Sequence, residues 1–116
     1  MLDLPENIIH AIQILIAVSV LFVWTFRHHN VVKEFNQFGL SDLTRDLVGA
    51  LKISLSALLI VGIWFPPVVF YAAAAMALLM VAAQYFHFKI SNPFIKHLPS
   101  LVLLLLSVVV AIENLP

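Results

Sequence analysis

The chain contains no cysteine, which excludes disulfide exchange, cysteine-ligated iron–sulfur clusters and thiol nucleophiles within it. Charge is scarce as well: Asp, Glu, Lys and Arg make up 10% of its 116 residues, against about 25% in soluble domains. Six acidic and six basic side chains cancel, so the net charge favours neither nucleic acid nor an acidic partner. Glycine is rare, with three in all and no glycine-rich phosphate loop. No serine, histidine and acid arrangement marks a hydrolase, and no HExxH element is present. A self-sufficient enzyme is not expected.

What the chain does have is apolar surface. Hydrophobic residues make up 63%, and the mean hydropathy is +1.08. Soluble domains are about 45–50% apolar, and a fold this small has too much exterior to hide the excess. Lipid is the solvent this composition predicts. The first apolar stretch follows Asp3, Pro5 and Glu6, with no Lys or Arg before it and no small-x-small cleavage site after it. It reads as a retained span, not a signal peptide.

Hydropathy and helix punctuation predict an all-α integral membrane protein. The expected form is a four-helix transmembrane bundle, with a short interfacial segment between spans one and two. The spans are expected at 8–26, 43–65, 67–88 and 97–115, within one membrane domain covering 1–116. Asp3 and Glu6 have the spacing of a helix start, with Asp3 as N-cap. The 19 residues of the first span rise ~28 Å, close to the ~30 Å hydrocarbon core. In the connector, Val31, Val32, Phe35 and Phe38 recur at helical spacing against Lys33, Glu34, Asn36 and Gln37, as in a helix lying at the interface. Gly39 should end it, with Ser41 and Asp42 capping the next helix. Pro66 and Pro67 stop the second span, and the alanines at 72–75 and 77 allow close helix packing in the third.

Lys and Arg set the expected orientation. Arg27, Lys33 and Arg45 flank the first connector, and Lys89 and Lys96 lie in the third. The positive-inside rule places both connectors in the cytoplasm and both termini outside it.

Within the spans, polar and small residues collect on one face of each helix: His10 and Gln13, then Gly49, Lys52 and Ser56, then Gln84 and His87, then His97, Ser100 and Ser107. Such residues normally face a bundle interior. Lys52 is the costly one, a charge inside an apolar run. It lies nine residues past Leu43, so its Cα is ~13 Å below the cytoplasmic end of span two. Its ammonium can climb toward that end, where Gln84 and His87 close the antiparallel third span. The candidate ligand pocket is therefore Lys52, Ser56, Gln84, His87 and Gly49. No carboxylate in the spans is an obvious partner for Lys52, and Glu34 reaches it only if the connector folds inward. His10 and Gln13 are expected to pair near the outer surface. Trp24, Trp64 and Tyr85 read as interface anchors. His28, His29, His87 and His97 share one side, but their spacing matches no metal or haem motif.

Four pieces in order resemble the DoxX-like family of small four-span membrane proteins. They are Phe35-x-x-Phe38-Gly39-Leu40, Val48-Gly49-Ala50-Leu51-Lys52-Ile53, the Ala-rich third span closing on His87, and Leu98-Pro99 opening an apolar fourth span. Ser41 stands where many members have proline after Gly-Leu. The resemblance implies a four-helix bundle in the bacterial inner membrane. Some relatives are subunits of thiosulfate:quinone oxidoreductase, others belong to oxidant-detoxifying complexes, and an animal branch resembles receptor chaperones. The leading expectation is a ligand-binding accessory subunit of a quinone-linked oxidoreductase or oxidant-detoxifying complex. No cofactor is expected in the chain itself, and a bound quinone or lipid is left open. The partners expected are the lipid bilayer and either further copies of the chain or a larger membrane oxidoreductase complex, with no nucleic acid. A small-solute transporter or channel, and a non-catalytic assembly partner, are the alternatives.

Overall fold

In the computed structural model, which describes residues 3–116, helix α1 (Glu6–Phe26) starts directly after Pro5, whose φ of −57° suits a helix entry. Pro5 is the N-cap; Asp3 stands outside the helix at φ 53° and caps nothing. Arg27 leaves helical geometry and turns the chain into α2 (His28–Phe38), so the interfacial connector is a full helix of 11 residues. Gly39 ends it at φ 75°, where the Leu40 N–H donates to the Phe35 carbonyl at 3.0 Å. Glycine takes that left-handed turn without strain.

Ser41 then caps α3 (Asp42–Val61), its Oγ accepting from the Thr44 N–H at 3.1 Å. Such a cap is worth ~1 kcal/mol. Helix α3 stops at Gly62, and residues 63–65 form a turn into a single 3-10 turn at Pro66–Val68. Helix α4 (Val69–Lys89) follows, then α5 (Phe94–Glu113), whose N-cap is Pro93. The last helix thus begins three residues before the His97 expected from hydropathy.

The expected four-span bundle requires correction. Among the described residues, three helices are long and apolar enough to cross a membrane: Glu6–Phe26, Pro66–Lys89 and Phe94–Glu113. The described residues form an all-α bundle of five α-helices, three of them of membrane-spanning length and apolarity. Helix α3 fails because Asp42, Arg45, Asp46 and Lys52 all fall in its first eleven residues. Its uncharged part, 53–61, has nine residues and covers ~13 Å, under half of a ~30 Å hydrocarbon core. Counting on to Phe65 lengthens this run with residues that lie in the turn.

Helix α4 lies along α5 and also packs on α3, while α1 packs on α3 and α5. The core between them holds Ile16, Ala17, Leu59, Ala73, Met76 and Val110, none of them exposed to solvent. Ala72 and Ala73 of the alanine run face inward, where their small size brings α4 close to its neighbours. Phe22, Leu78, Phe88 and Leu105 point outward, as lipid-facing residues of a spanning bundle do. Buried Gln13 donates to the Leu59 carbonyl at 2.8 Å, tying α1 to α3, while His10 instead approaches Glu6 at 3.6 Å. The expected His10–Gln13 pair does not form.

Candidate functional site

One contact organises the site. Gly49 is buried on α3, and a Cβ added there would sit 2.5 Å from Cζ3 of Trp24 and 2.7 Å from Cε3. Only a residue without a side chain lets the indole of α1 approach α3 this closely. One turn further along α3, the Lys52 ammonium sits over the same indole, 5.7 Å from the ring centroid. The Gly-x-x-Lys spacing therefore builds a wall: glycine seats the ring and lysine covers it.

Other aromatic rings continue that wall. Phe35 meets Trp24 edge-on at 5.8 Å, Phe38 stacks on Phe86 at 5.5 Å, and Phe38 also meets His87 edge-on at 5.1 Å. Together with Val20, Val31, Val48, Met80 and Leu103 they enclose a cavity of about 260 Å³. Its polar groups are few and come from different helices: Glu34 of α2, Thr44 and Lys52 of α3, His87 of α4, and Lys96 and Ser100 of α5. A mostly apolar cleft with a few convergent polar groups is the usual form of a small-molecule site.

Of the charged and titratable groups in this cavity, Glu34 and His87 come within ion-pair distance, and they do so without a hydrogen bond. Glu34 Oε2 lies 3.8 Å from His87 Nε2, beyond hydrogen-bond range. Among the described residues no ion pair joins Glu34 to Lys52 or Lys96, and the one contact found for the Lys52 ammonium is the Trp24 ring. Burial pushes the Glu34 carboxyl above its ordinary range, against the opposing pull of Lys96, Lys52 and Arg27. Burial also lowers Lys52 to about 8, with Glu34 opposing. In each case desolvation outweighs the opposite charge.

Behind the cavity a polar clasp joins α4 to α5. Gln84 Nε2 donates to the His97 carbonyl at 2.9 Å and to Ser100 Oγ at 2.6 Å. Its Oε1 then accepts from His97 Nδ1 at 3.0 Å, and His97 Nε2 reaches the Asn92 carbonyl at 3.1 Å. Asn92 Nδ2 donates to His87 Nδ1 at 2.8 Å, so the His87 proton sits on Nε2 and faces Glu34. His87 and His97 are both buried, with ring centroids 5.2 Å apart.

Of the residues expected in the pocket, Lys52 and His87 line it. Gln84 does not; its amide is used up in the clasp. Gly49 lies beneath Trp24 as its seat. Ser56 is buried and donates to the Lys52 carbonyl at 2.9 Å, within its own helix. Glu34, Trp24, Lys96, Phe38 and Phe86 belong to the lining and were not among the expected site residues. A signal for Glu34 was present: Val31, Glu34, Phe35 and Phe38 follow the i, i+3, i+4, i+7 spacing of one helix face. Trp24, read as an interface anchor, is a buried wall.

A sequence model of the DoxX-like family matches residues 8–110, which covers most of the chain and the whole of this cavity's lining. No curated protein and no solved structure matches.

Proposed function

The chain belongs to the DoxX-like family, and we propose that it is a ligand-binding accessory subunit of a membrane oxidoreductase or oxidant-detoxifying complex. Its pocket takes an amphipathic molecule with an oxygen-bearing head, a quinone being the first candidate. One observation carries this reading: the Lys52 ammonium faces an aromatic-lined cavity and, among the described residues, has no acceptor within hydrogen-bond distance. An ammonium has three donors, and leaving them unmet away from water is costly. A carbonyl or anionic oxygen on a ligand would meet that need. Flat rings beside Trp24, Phe35, Phe38 and Phe86 would find stacking partners.

The chain has no cysteine for a redox cluster, so electrons would be handled by partner chains. Arg27, Lys33, Lys89 and Lys96 gather at the pocket's end of the bundle, which supports a cytoplasm-facing pocket in a bacterial inner membrane. A solute path is less well supported. The apolar layer of Ile16, Leu59, Ala73 and Met76 lies between this cavity and the polar one formed by His10, Gln13 and Asn114 at the other end.

The test is extraction of small molecules from protein purified gently from its native membrane. Enrichment of a quinone or another oxygen-headed amphiphile over bulk lipid, lost in Lys52→Met, supports the reading. No enrichment in the unmodified protein overturns it.

A further inference from the structure

The cavity holds an unmet acceptor as well as an unmet donor. Glu34 reaches it from α2, half-buried, and among the described residues no donor lies within hydrogen-bond distance of its carboxylate. The donors stand opposite: the Lys52 ammonium on α3, the Nε2–H of His87 on α4, and the Lys96 ammonium at the exposed rim on α5. A ligand head that only accepts hydrogen bonds would satisfy Lys52 and leave the Glu34 carboxylate desolvated and unpaired. One that only donates would do the reverse. We infer that this pocket selects a hydroxyl-bearing aromatic head, a phenol or the dihydroxy form of a quinone, over the corresponding carbonyl or ether. This rests on the pocket reading above and narrows its ligand.

The hydroxyl fits because one oxygen does both jobs. Its lone pairs accept from Lys52, and its proton goes to Glu34, in a space where the carboxylate and the His87 ring nitrogen are already only 3.8 Å apart. Hydrogen bonds to a charged group are the stronger kind, and a half-buried carboxylate that a bound ligand cuts off from water discriminates against the analogue without a donor. The ring itself lies among Trp24, Phe35, Phe38 and Phe86. Helix α2 is thus part of the recognition surface and more than a connector, with Glu34 the one acid on the face it turns inward. Raising of the Glu34 carboxyl by burial agrees with a carboxylate short of donors.

The experiment compares para-decylphenol with its methyl ether, which differ by a single O–H, in equilibrium binding to the full chain in detergent micelles. The unmodified protein should bind the phenol about tenfold or more tightly than the ether. Glu34→Leu should remove most of that preference by weakening the phenol alone, and Glu34→Gln, which keeps an acceptor oxygen and similar volume, should retain part of it. Lys52→Met should weaken both probes. Equal binding of phenol and ether by the unmodified protein overturns this inference and leaves the pocket standing. Binding of neither probe overturns the pocket reading with it. A preference that survives in Glu34→Leu protein of native helix content removes Glu34 as its source.

Discussion

Gly49→Ala is the smallest change that should disturb the candidate site. The new methyl would sit 2.5 Å, 2.7 Å and 3.2 Å from three atoms of the Trp24 indole. Ordinary contact begins near 3.4 Å, so ring or helix must move by about 0.9 Å at the closest atom. The indole is buried and wedged against Phe35, which leaves little room to retreat. Overpacking of this kind costs about 1–3 kcal/mol. Replacing glycine in a helix interior by alanine returns up to about 1 kcal/mol through propensity. The net expectation is a loss of roughly 0–3 kcal/mol, with a larger effect on the cavity than on the fold. Displacing the ring also displaces the surface on which Lys52 rests. The assay is tryptophan emission in a Trp64→Phe background, where Trp24 is the remaining indole, read beside thermal unfolding and amphiphile binding. A shifted emission maximum and weaker binding are expected. Unchanged emission and binding, together with a higher melting temperature, would refute the idea that Gly49 seats Trp24.

Four further outcomes follow from the same geometry. Lys52→Met should leave thermal stability equal or higher, because an apolar chain replaces an ammonium lacking an acceptor, while ligand retention falls about tenfold or more. Gln84→Leu removes two donated bonds and the acceptor for His97 Nδ1; a loss of about 2–4 kcal/mol in denaturation is expected. Ser107 Oγ is buried with no hydrogen-bond partner among the described residues, so Ser107→Ala should be neutral or stabilising by up to about 1 kcal/mol. Glu34 binds its proton more tightly folded than unfolded, so its contribution to stability grows as pH falls through the window between its ordinary and raised values. Over the same window Glu34 changes from acceptor to donor, with Lys52 on α3, His87 on α4, Lys96 on α5 and Arg27 before α2 opposing that protonation or facing the group. A titration of phenol-over-ether preference should therefore show it fading toward acid.

The membrane class, the helix punctuation around Gly39 and Ser41, and the inward lean of Lys52 and His87 were legible because each is a local signal. Gly39 ends α2 by conformation, and Ser41 caps α3 by one side-chain bond. The span count was not legible by apolar run length, since the charges of α3 cluster at its start and the turn residues after Val61 look like more span. Gln84 was placed on the inner face, but only packing decides whether an amide faces a cavity or clasps a neighbouring helix. Glu34 depended on how α2 folds back over the bundle, a tertiary fact that period alone leaves open. Gly49 had the right neighbourhood and a different part in it, since it seats a ring and binds nothing itself.

Everything proposed for this protein depends on the cavity between Trp24, Glu34, Lys52 and His87 being a ligand site. A tailed aromatic probe carrying a ring hydroxyl and a photoreactive group examines that directly, when irradiated with the full chain in lipid vesicles and mapped by peptide mass spectrometry. Adducts should be confined to the cavity-lining residues, among them Trp24 on α1, Phe35 on α2, Lys52 on α3, Phe86 on α4 and Leu103 on α5, and suppressed by excess para-decylphenol and by Lys52→Met. Labelling spread along the lipid-facing residues of α1 and α5, unaffected by either, would contradict a ligand site in this cavity.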